Sequence, residues 1–261
     1  LPTYIPIDFS EKVRNSIFQA GAGTIGNYDN CSFNAEGKGT YRGNEDSNPT
    51  MGKKGELHDI LTNKYADILV IGETKLDSSF PIAQFSVPNF SLYRQDRNEF
   101  GGGIMVFVSN TIPHCRYQPL QNCIKNGVEC LVIECTIGRT KWLLSALFKS
   151  PNIKDNQFIP VFTLLCDQML SCTPNGLCLG DFNLNMNKSN CLSVACKTLG
   201  LTNVIKGDTC FKGQVPTSID VILVHNKTLV KDILNVNIGI SDCDNLVEVA
   251  FKEKAPIKTN T

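Results

Sequence analysis

The sequence predicts an α+β fold in which two packed, mainly antiparallel sheets carry helices on their outer faces. Short apolar runs bounded by turn residues recur along the chain and outnumber the segments with helical spacing. Residues 131–135 and 142–148 form two such runs around a turn at Gly138, which is typical of an antiparallel pair. Because helices are few, a doubly wound parallel sheet, in which strand and helix alternate, fits this order less well.

Each predicted element rests on a local pattern. Strands are expected where apolar runs lie between turn residues, and helices where apolar residues share one helical face. The predicted strands are 66–73, a strand around Tyr93, 104–108, 131–135, 142–148, 177–180, 218–224 and 246–251, and the predicted helices are 52–63, 155–171 and about 190–199. The Gly101–Gly103 run is expected to be a hairpin turn, because no helix or Lys-Ser/Thr pair follows it as in a phosphate-binding loop.

The N-terminal part of the chain is poorly patterned. Residues 21–50 are rich in Gly, Asn, Asp, Ser and Glu, which is typical of loop or disorder, and 31–34 is the one short strand predicted there. We therefore expect three parts: a poorly patterned segment at 1–50, a folded domain at 51–254 and a short tail at 255–261.

Composition and charge restrict the classes of function. The chain has 261 residues, enough to bury a core without cross-links, and its 25 basic and 25 acidic residues give a formal net charge of zero. That balance argues against tight nucleic-acid binding over a broad face. It leaves room for an enzyme that contacts a few phosphates through a local basic patch.

The cysteine pattern indicates an intracellular protein. The chain has 12 cysteines but no Cys-x-x-Cys, which argues against zinc ribbons and thioredoxin-type chemistry. Several lie inside apolar runs, where cysteine behaves as a small hydrophobe, so reduced thiols are expected. The sequence has no signal-peptide pattern and no apolar stretch of membrane-spanning length, so we expect the cytoplasm or nucleus and no membrane partner.

Acidic residues stand at the end or start of four apolar strands. They are Glu73, Asp181 with Asn183 two residues later, Asp220 and Asp242. Carboxylate oxygens without His or Cys partners select Mg²⁺ or Mn²⁺ over Zn²⁺. Such scattered acids converge only in a fold that aligns strand ends, so the pattern predicts a cleft at one edge of the packed sheets.

These segments carry a family resemblance. The segments 71–77, 180–183, 218–223 and 240–242 occur in the order found in the endonuclease/exonuclease/phosphatase superfamily, which the chain resembles over about 60–252. Residues 93–97 followed by 101–103 resemble the apurinic-type endonuclease domains of non-LTR retrotransposons. The resemblance implies a four-layer α/β/β/α sandwich and Mg²⁺- or Mn²⁺-dependent hydrolysis of a phosphodiester, with DNA as a transient partner contacted through its phosphate backbone.

The resemblance also implies roles for the acidic residues. Glu73 would bind the metal, Asp181 would orient or deprotonate the attacking water, and Asn183 would hold a phosphate oxygen. Asp220 would orient a histidine, and Asp242 would lie beside that histidine and join the metal ligands.

Further metal and phosphate contacts are implied at other positions. Asn34 is the candidate for the first-strand asparagine that completes the metal site, and Asn48 competes with it. The residues expected to contact substrate or phosphate are Lys75, Arg94, Arg97, Lys149 and Ser218. Arg94, Asp96 and Arg97 can equally form an ion-pair cluster on the surface.

The chain departs from the family pattern where a histidine is expected. After Ser241-Asp242 the chain has Cys243-Asp244, and the spacing of the retrotransposon domains favours Asp244 as the replacement. Losing one transition-state donor costs about 10²–10³ in rate, and an added carboxylate repels a phosphate of like charge. We therefore expect weak or absent nicking activity, with Asp220 deprived of the partner it would orient.

A second departure lies at Phe148-Lys149, where related domains carry a Tyr-Arg pair. Phe148 lacks the hydroxyl, and Lys149 keeps the charge without the planar fork of Arg. Two alternatives to the endonuclease interpretation remain open at this point. One is a phosphomonoesterase of the same fold, and the other is a non-catalytic remnant.

Overall fold

The computed structural model describes residues 10–33, 60–61, 66–98, 100–123, 127–237, 241 and 243–252. The chain divides into two compact units, 1–45 and 46–261. In the first unit, helix α1 covers Ser10–Gln19, and Ile25 and Tyr28 then form an isolated bridge. Helix α1 was not predicted because its pattern is weak, and none of its residues is buried. Residues 31–33, predicted to begin a strand, have no regular secondary structure.

The second unit consists mainly of strands. They are β1 Ile68–Gly72, β2 Phe90–Gln95, β3 Ile104–Ser109, β4 His114–Arg116, β5 Glu129–Ile137, β6 Thr140–Phe148, β7 Gly176–Asp181, β8 Thr202–Asn203, β9 Asp220–Val224, β10 Val230–Val236 and β11 Leu246–Phe251. The helices are α2 Asp155–Cys172 and α3 Cys191–Thr198, with 3₁₀ turns at Ile82–Phe85, Gln118–Cys123 and Lys227–Leu229. The predicted helix 52–63 lies outside the described residues except for 60–61.

Six strands form the central sheet, in the order β4-β5-β6-β7-β9-β8. All neighbours are antiparallel except β6 and β7, which run parallel because helix α2 connects them as a crossover. The other strands form a three-stranded sheet, β1-β3-β2, and a two-stranded sheet, β10-β11, both antiparallel. The predicted class, mainly antiparallel sheets with outer helices, is confirmed.

Strand β6 shows how the central sheet divides the core. Its alternate residues face opposite sides, as the period of a strand requires. Leu143 and Leu147 pack with the residues of helix α2, whereas Trp142, Leu144 and Phe148 pack with strand β3 and its neighbours. Because both faces are covered, the strand is a nearly continuous apolar run in the sequence.

The first core layer lies between the central sheet and helices α2 and α3. Phe158 and Phe162 of α2 contact Phe182, which follows β7, with ring centroids 5.4 and 5.7 Å from that of Phe182. All three rings are fully buried, so burial of apolar area fixes the segment after β7 against the helix. This contact fixes the chain immediately beside Asp181.

The second core layer lies between the central sheet and the two smaller sheets. Val106 and Val108 of β3 pack against Leu131 and Ile133 of β5, and half-buried residues of β10 and β11 join them. A third cluster covers the far face of the three-stranded sheet and includes Leu76. The predicted sandwich of packed sheets is therefore present.

One glycine permits the close approach of two strands. Gly180 of β7 has φ +136°, and a Cβ at this position would overlap the carbonyl oxygen of Leu147 in β6. Gly138, in the tight turn between β5 and β6, has φ +64° with open space around it. A substitution at Gly138 therefore reports the cost of backbone strain alone, whereas one at Gly180 adds the cost of a steric overlap.

We expect Gly180→Ala to destabilise the fold far more than Gly138→Ala. Alanine at Gly138 has only the left-handed backbone to accommodate, which costs about 1–2 kcal/mol. Alanine at Gly180 must also displace a strand backbone, so a loss above about 3 kcal/mol is expected. Urea unfolding of both variants measures the difference, and equal losses would show that β6 and β7 are not held at this distance.

Candidate active site

The pairing of β7 with β9 places two carboxylates side by side. Asp181 ends β7 and lies opposite Asp220, the first residue of β9, in antiparallel register. Directly opposed residues of an antiparallel pair project from the same face of the sheet. The backbone N–H of Lys149 donates to the carbonyl of Asp181 at 3.0 Å and continues the contact with β6.

Asn183 holds the carboxylate of Asp181 in place. Its backbone N–H donates to Asp181 Oδ1 at 2.8 Å, and its side-chain Nδ2 donates to Asp181 Oδ2 at 3.2 Å and to the Lys149 carbonyl at 2.9 Å. The residue adopts φ +48°, which asparagine tolerates better than most residues. The Asn183 side-chain amide, expected to hold a phosphate oxygen, thus donates within the protein to Asp181 and to the Lys149 carbonyl.

Asp220 is held by its backbone, with one side-chain oxygen left over. The backbone N–H of Asp220 donates to the hydroxyl of the buried Thr209 at 3.1 Å. Its Oδ2 is buried and has no hydrogen-bond partner among the described residues. An unpaired buried carboxylate oxygen is costly, and it fits the expectation that Asp220 lacks the histidine it would orient.

Asp244 lies in a short ladder beside these two residues. Cys210 and Asp244 form an antiparallel bridge, and the hydroxyl of Ser241 donates to Asp244 Oδ2 at 3.1 Å. The thiol of Cys243 lies 3.4 Å from the same oxygen. Burial, together with a hydrogen bond to Asp244, raises the pKa of the Cys210 thiol to about 12.

The pKa of Asp181 shows how closely the acids are grouped. Burial, helped by the charges of Asp220, Asp244 and Glu73, raises this pKa to about 7 against the lowering effect of the Asn183 N–H. Burial likewise raises the pKa of Asp220 to about 6, where hydrogen bonding from Thr209 opposes the shift and Asp244 adds to it. The structure therefore brings Glu73, Asp181, Asp220 and Asp244 into one electrostatic neighbourhood.

The segment after β1 carries two residues with unusual backbone geometry. Glu73 has φ +54° and Lys75 has φ +55°, and both side chains are exposed. Non-glycine residues other than Asn or Asp rarely adopt this region, at a cost of roughly 1–3 kcal/mol each. The N–H groups of Thr74 and Lys75 donate to the carbonyls of Gly103 and Gly102, which holds the strained turn.

Sequence reasoning missed Glu129, a buried acid at the start of β5. It accepts hydrogen bonds from the Gly103 N–H and, at 2.8 Å, from Arg97 Nη1. Burial raises the pKa of Glu129, and the charge of Glu73 adds to that shift, so the two acids are neighbours. An acid before an apolar run was the available signal, the same signal that identified Asp220. Thr209 gave no such signal.

Two of the basic residues predicted to contact phosphate are engaged inside the protein. Arg94 is 6% exposed and bonds to Asp96 and to the carbonyls of Phe80 and Asp77. Lys149 is 4% exposed, and its ammonium lies 3.3 Å from Asp155. Arg94 therefore belongs to the alternative ion-pair cluster, and neither charge is free to meet a phosphate without breaking these contacts.

The remaining predicted residues divide into accessible, buried and undescribed positions. Lys75 is exposed, and Arg97 is 38% exposed while it bonds to Glu129 and to the Gly101 carbonyl. Ser218 is buried, with its N–H donating to Asn185 and its carbonyl accepting from Met186. Asn34, Asn48 and Asp242 lie outside the described residues.

The raised pKa of Asp181 makes stability fall as pH rises. The unfolded chain loses this proton near pH 4 and the folded protein near pH 7, so in that window the folded protein binds more protons and loses stability with increasing pH. Between these two pH values the free energy of unfolding falls by a few kcal/mol because of this group. We expect metal-free Asp181→Asn to flatten this decline, measured by urea unfolding from pH 4 to 8. Asp232→Asn, at an exposed position, is the control, and an unchanged slope in Asp181→Asn contradicts the prediction.

Known proteins share this fold and family pattern. The model of the Endonuclease/Exonuclease/phosphatase family matches residues 31–242. The endonuclease domain of TRAS1, a telomere-specific non-LTR retrotransposon, is 14% identical, with 74% of this chain and 88% of that chain covered at a TM-score of 0.58. A variant of the 3′ phosphatase NExo from Neisseria, bound to product DNA hairpin, is 18% identical, with 76% and 93% covered at a TM-score of 0.59.

Curated relatives match over a short segment. GTP cyclohydrolase 1 type 2 homologs from Halalkalibacterium halodurans and Bacillus subtilis are 38% identical over 73 residues and 33% identical over 81 residues, 28% and 31% of this chain. The chain spans 20% and 19% of their lengths, about a fifth. The family model, by contrast, spans most of the chain and includes Glu73, Asp181 and Asp220. The protein belongs to the endonuclease/exonuclease/phosphatase family.

Proposed function

We propose that the protein is a divalent-metal-dependent phosphodiesterase of the DNA-nicking, retrotransposon type, with chemistry weakened by Asp244. The observation that carries the proposal is the convergence of Asp181, Asp220, Asp244 and Glu73, in which Asp244 adds negative charge to both Asp181 and Asp220. The proposed hydrolytic activity rests on the carboxylates of Asp181 and Glu73, which would activate water and bind the metal. The proposed weakness of that activity rests on Asp244, which stands where the resemblance implies a histidine.

The donor chemistry suits a hard cation such as Mg²⁺ or Mn²⁺. Glu73 presents an exposed carboxylate next to the buried acids, and oxygen-only donors favour these ions. Glu73 would hold the ion, with Asp242 and Asn34 as further proposed ligands. When bound, the ion would polarise the phosphate and offset charge on the leaving oxygen.

Asp181 is the proposed base for the attacking water. A carboxyl with a pKa of about 7 can accept a proton at neutral pH with useful driving force. Asn183 and the Lys149 carbonyl fix its orientation, because the Asn183 amide bridges the two. Such rigid positioning of a reacting group on a strand end is what phosphate chemistry requires.

Asp244 explains why the proposed activity is weak. The resemblance implies a histidine that donates to the phosphate oxygens, and a carboxylate at that place repels them instead. At an effective dielectric of about 20 and a separation of about 4 Å, like charges repel by about 4 kcal/mol before screening. Asp220 Oδ2, which has no hydrogen-bond partner among the described residues, fits the loss of the histidine that Asp220 would orient.

DNA is the proposed partner, contacted locally through its phosphates. The zero net charge is compatible with only a few contacts, and Lys75 and Arg97 are the accessible basic side chains of the predicted set. NExo from Neisseria was solved with a DNA hairpin, which supports a nucleic-acid substrate for this fold. The retrotransposon assignment is supported by residues 93–97 and 101–103 and by the likeness of fold to TRAS1.

We expect Asp244→His to raise nicking of supercoiled plasmid in Mg²⁺ by at least about tenfold. Restoring a donor recovers part of the about 10²–10³ that a missing donor costs. Asp244→Asn removes the charge without adding an imidazole, so it should give a smaller gain. The double variant Asp181→Asn with Asp244→His should be inactive, which controls for contaminating nuclease. No gain in Asp244→His would refute the proposed cause of weak activity.

The metal-site proposal predicts saturable binding of Mg²⁺ that depends on Glu73. Isothermal titration calorimetry of the chain should show one site, and Glu73→Gln should abolish it because one charged oxygen ligand is lost. Glu248→Gln, at an exposed position on β11, is the matched control. A chain without saturable binding would be the non-catalytic remnant.

A panel of phosphomonoesters and DNA then separates the phosphatase alternative from the nuclease.

A further inference from the structure

We propose that Cys210, Cys243 and Asp244 form a binding site for Zn²⁺, a thiophilic divalent cation. The two sulfur atoms and a carboxylate oxygen all lie within 4.8 Å of one another. The three side chains belong to two segments that meet beside Asp220. The site goes beyond the proposed function, since it stands whether or not the chain hydrolyses phosphodiesters.

The two segments are locked together by backbone pairing. The N–H of Phe211 donates to the Cys243 carbonyl at 2.7 Å, and the N–H of Asn245 donates to the Thr209 carbonyl at 2.8 Å. With the bridge between Cys210 and Asp244, these bonds form a short antiparallel ladder. The proximity of the three side chains therefore follows from the fold and does not depend on a chance arrangement of surface rotamers.

The geometry is close to that of a tetrahedral zinc site. Zn–S bonds of about 2.3 Å and Zn–O bonds of about 2.0–2.2 Å place neighbouring ligand atoms roughly 3.6–3.8 Å apart. The present limit of 4.8 Å requires a contraction of about 1 Å at most, which small side-chain rotations supply. Three protein ligands leave a fourth position for water, as in catalytic zinc sites.

Ser241 supports the carboxylate that would bind the ion. Its hydroxyl accepts hydrogen bonds from the N–H groups of Cys243 at 3.3 Å and Asp244 at 3.0 Å and donates to Asp244 Oδ2 at 3.1 Å. Carboxylates that bind metals are usually held by such hydrogen bonds from neighbouring groups. Ser241 thus orients Asp244 Oδ2, the same oxygen that lies 3.4 Å from Cys243 Sγ.

The ligand types select the ion. Thiolates favour Zn²⁺ and other thiophilic cations, whereas Mg²⁺ favours the oxygen donors around Glu73. Coordination replaces the two S–H bonds of Cys210 and Cys243 with metal–sulfur bonds and releases both protons to solvent. The two thiols could instead form a disulfide, and the experiment below distinguishes this outcome.

The test uses Co²⁺ as the spectroscopic probe and Zn²⁺ as the competitor. Reduced, metal-free chain is titrated with Co²⁺ in excess Mg²⁺, which occupies any oxygen-only site. We expect a thiolate-to-cobalt charge-transfer band that saturates at one equivalent and disappears when Zn²⁺ is added. Replacing a residue that only hydrogen-bonds to a metal ligand typically weakens metal binding by about 10- to 100-fold. Cys243→Ser and Asp244→Asn each remove a ligand, so they should weaken Co²⁺ binding by more than that.

Cys191→Ser is the matched control. Cys191 is an exposed cysteine whose thiol also lies beside a carboxylate, 3.6 Å from Asp155 Oδ2. This variant should bind Co²⁺ like the natural chain. Cys210 is buried, so Cys210→Ser is interpreted only with a matching melting curve, and Cys243→Ser decides the question.

Three outcomes would overturn the site. They are a band unchanged in Cys243→Ser, a band lost equally in Cys191→Ser, and peptide mapping that finds a Cys210–Cys243 disulfide in reduced, metal-treated protein. Because the readout is metal binding, none of them depends on nicking. Since Asp244→His would convert the ligands to two cysteines and a histidine, the nicking assay for that variant is run after thiophilic metal has been removed by chelation.

Discussion

The antiparallel register of β7 against β9 is the constraint on which the candidate site depends. Strand β7 is held by parallel pairing with β6 on one side and by β9 on the other, and the absence of a side chain at Gly180 allows the contact with Leu147. Because successive side chains point to opposite faces, a slip of one residue would turn Asp181 away from Asp220. The buried ring of Phe182 in the next position resists such a slip, since it would have to leave the core beside α2.

That register concentrates negative charge in a partly buried region, which lowers the stability of the folded protein. Burial and neighbouring acids raise the pKa values of Asp181 and Asp220 to about 7 and about 6, so ionising both at neutral pH opposes folding. The left-handed backbone at Glu73 and Lys75 adds further strain. Natural proteins accept such local penalties where function requires them. Either protons or a bound cation can compensate the charge, which couples the stability of this region to pH and to metal.

Elements with a mainly apolar run were predictable from the sequence, including the partly exposed β11, and elements whose run is interrupted by adjacent charges were not. Strand β3 and helix α2 gave clear apolar patterns, whereas β10 contains Lys231 and Asp232 and has no fully buried residue. The acids at strand ends were recognisable because each adjoins an apolar run. The environments of Arg94 and Lys149 were not, since a sequence shows that a charge exists but not which residue pairs with it.

The cysteines near Asp244 show the same limit of reasoning from sequence alone. Sequence searches for metal sites depend on short spacings, and Cys210 and Cys243 meet only through the ladder between their segments. That ladder also sets Asp244 next to Asp220, where the family resemblance implies an imidazole. If Zn²⁺ binds to Cys210, Cys243 and Asp244, its two positive charges are matched by the two thiolates that form, so the site keeps the single negative charge of Asp244. The metal would hold the Asp244 carboxylate in place without supplying the positive charge of an imidazolium, so the proposed cation site and the proposed weak hydrolysis are compatible.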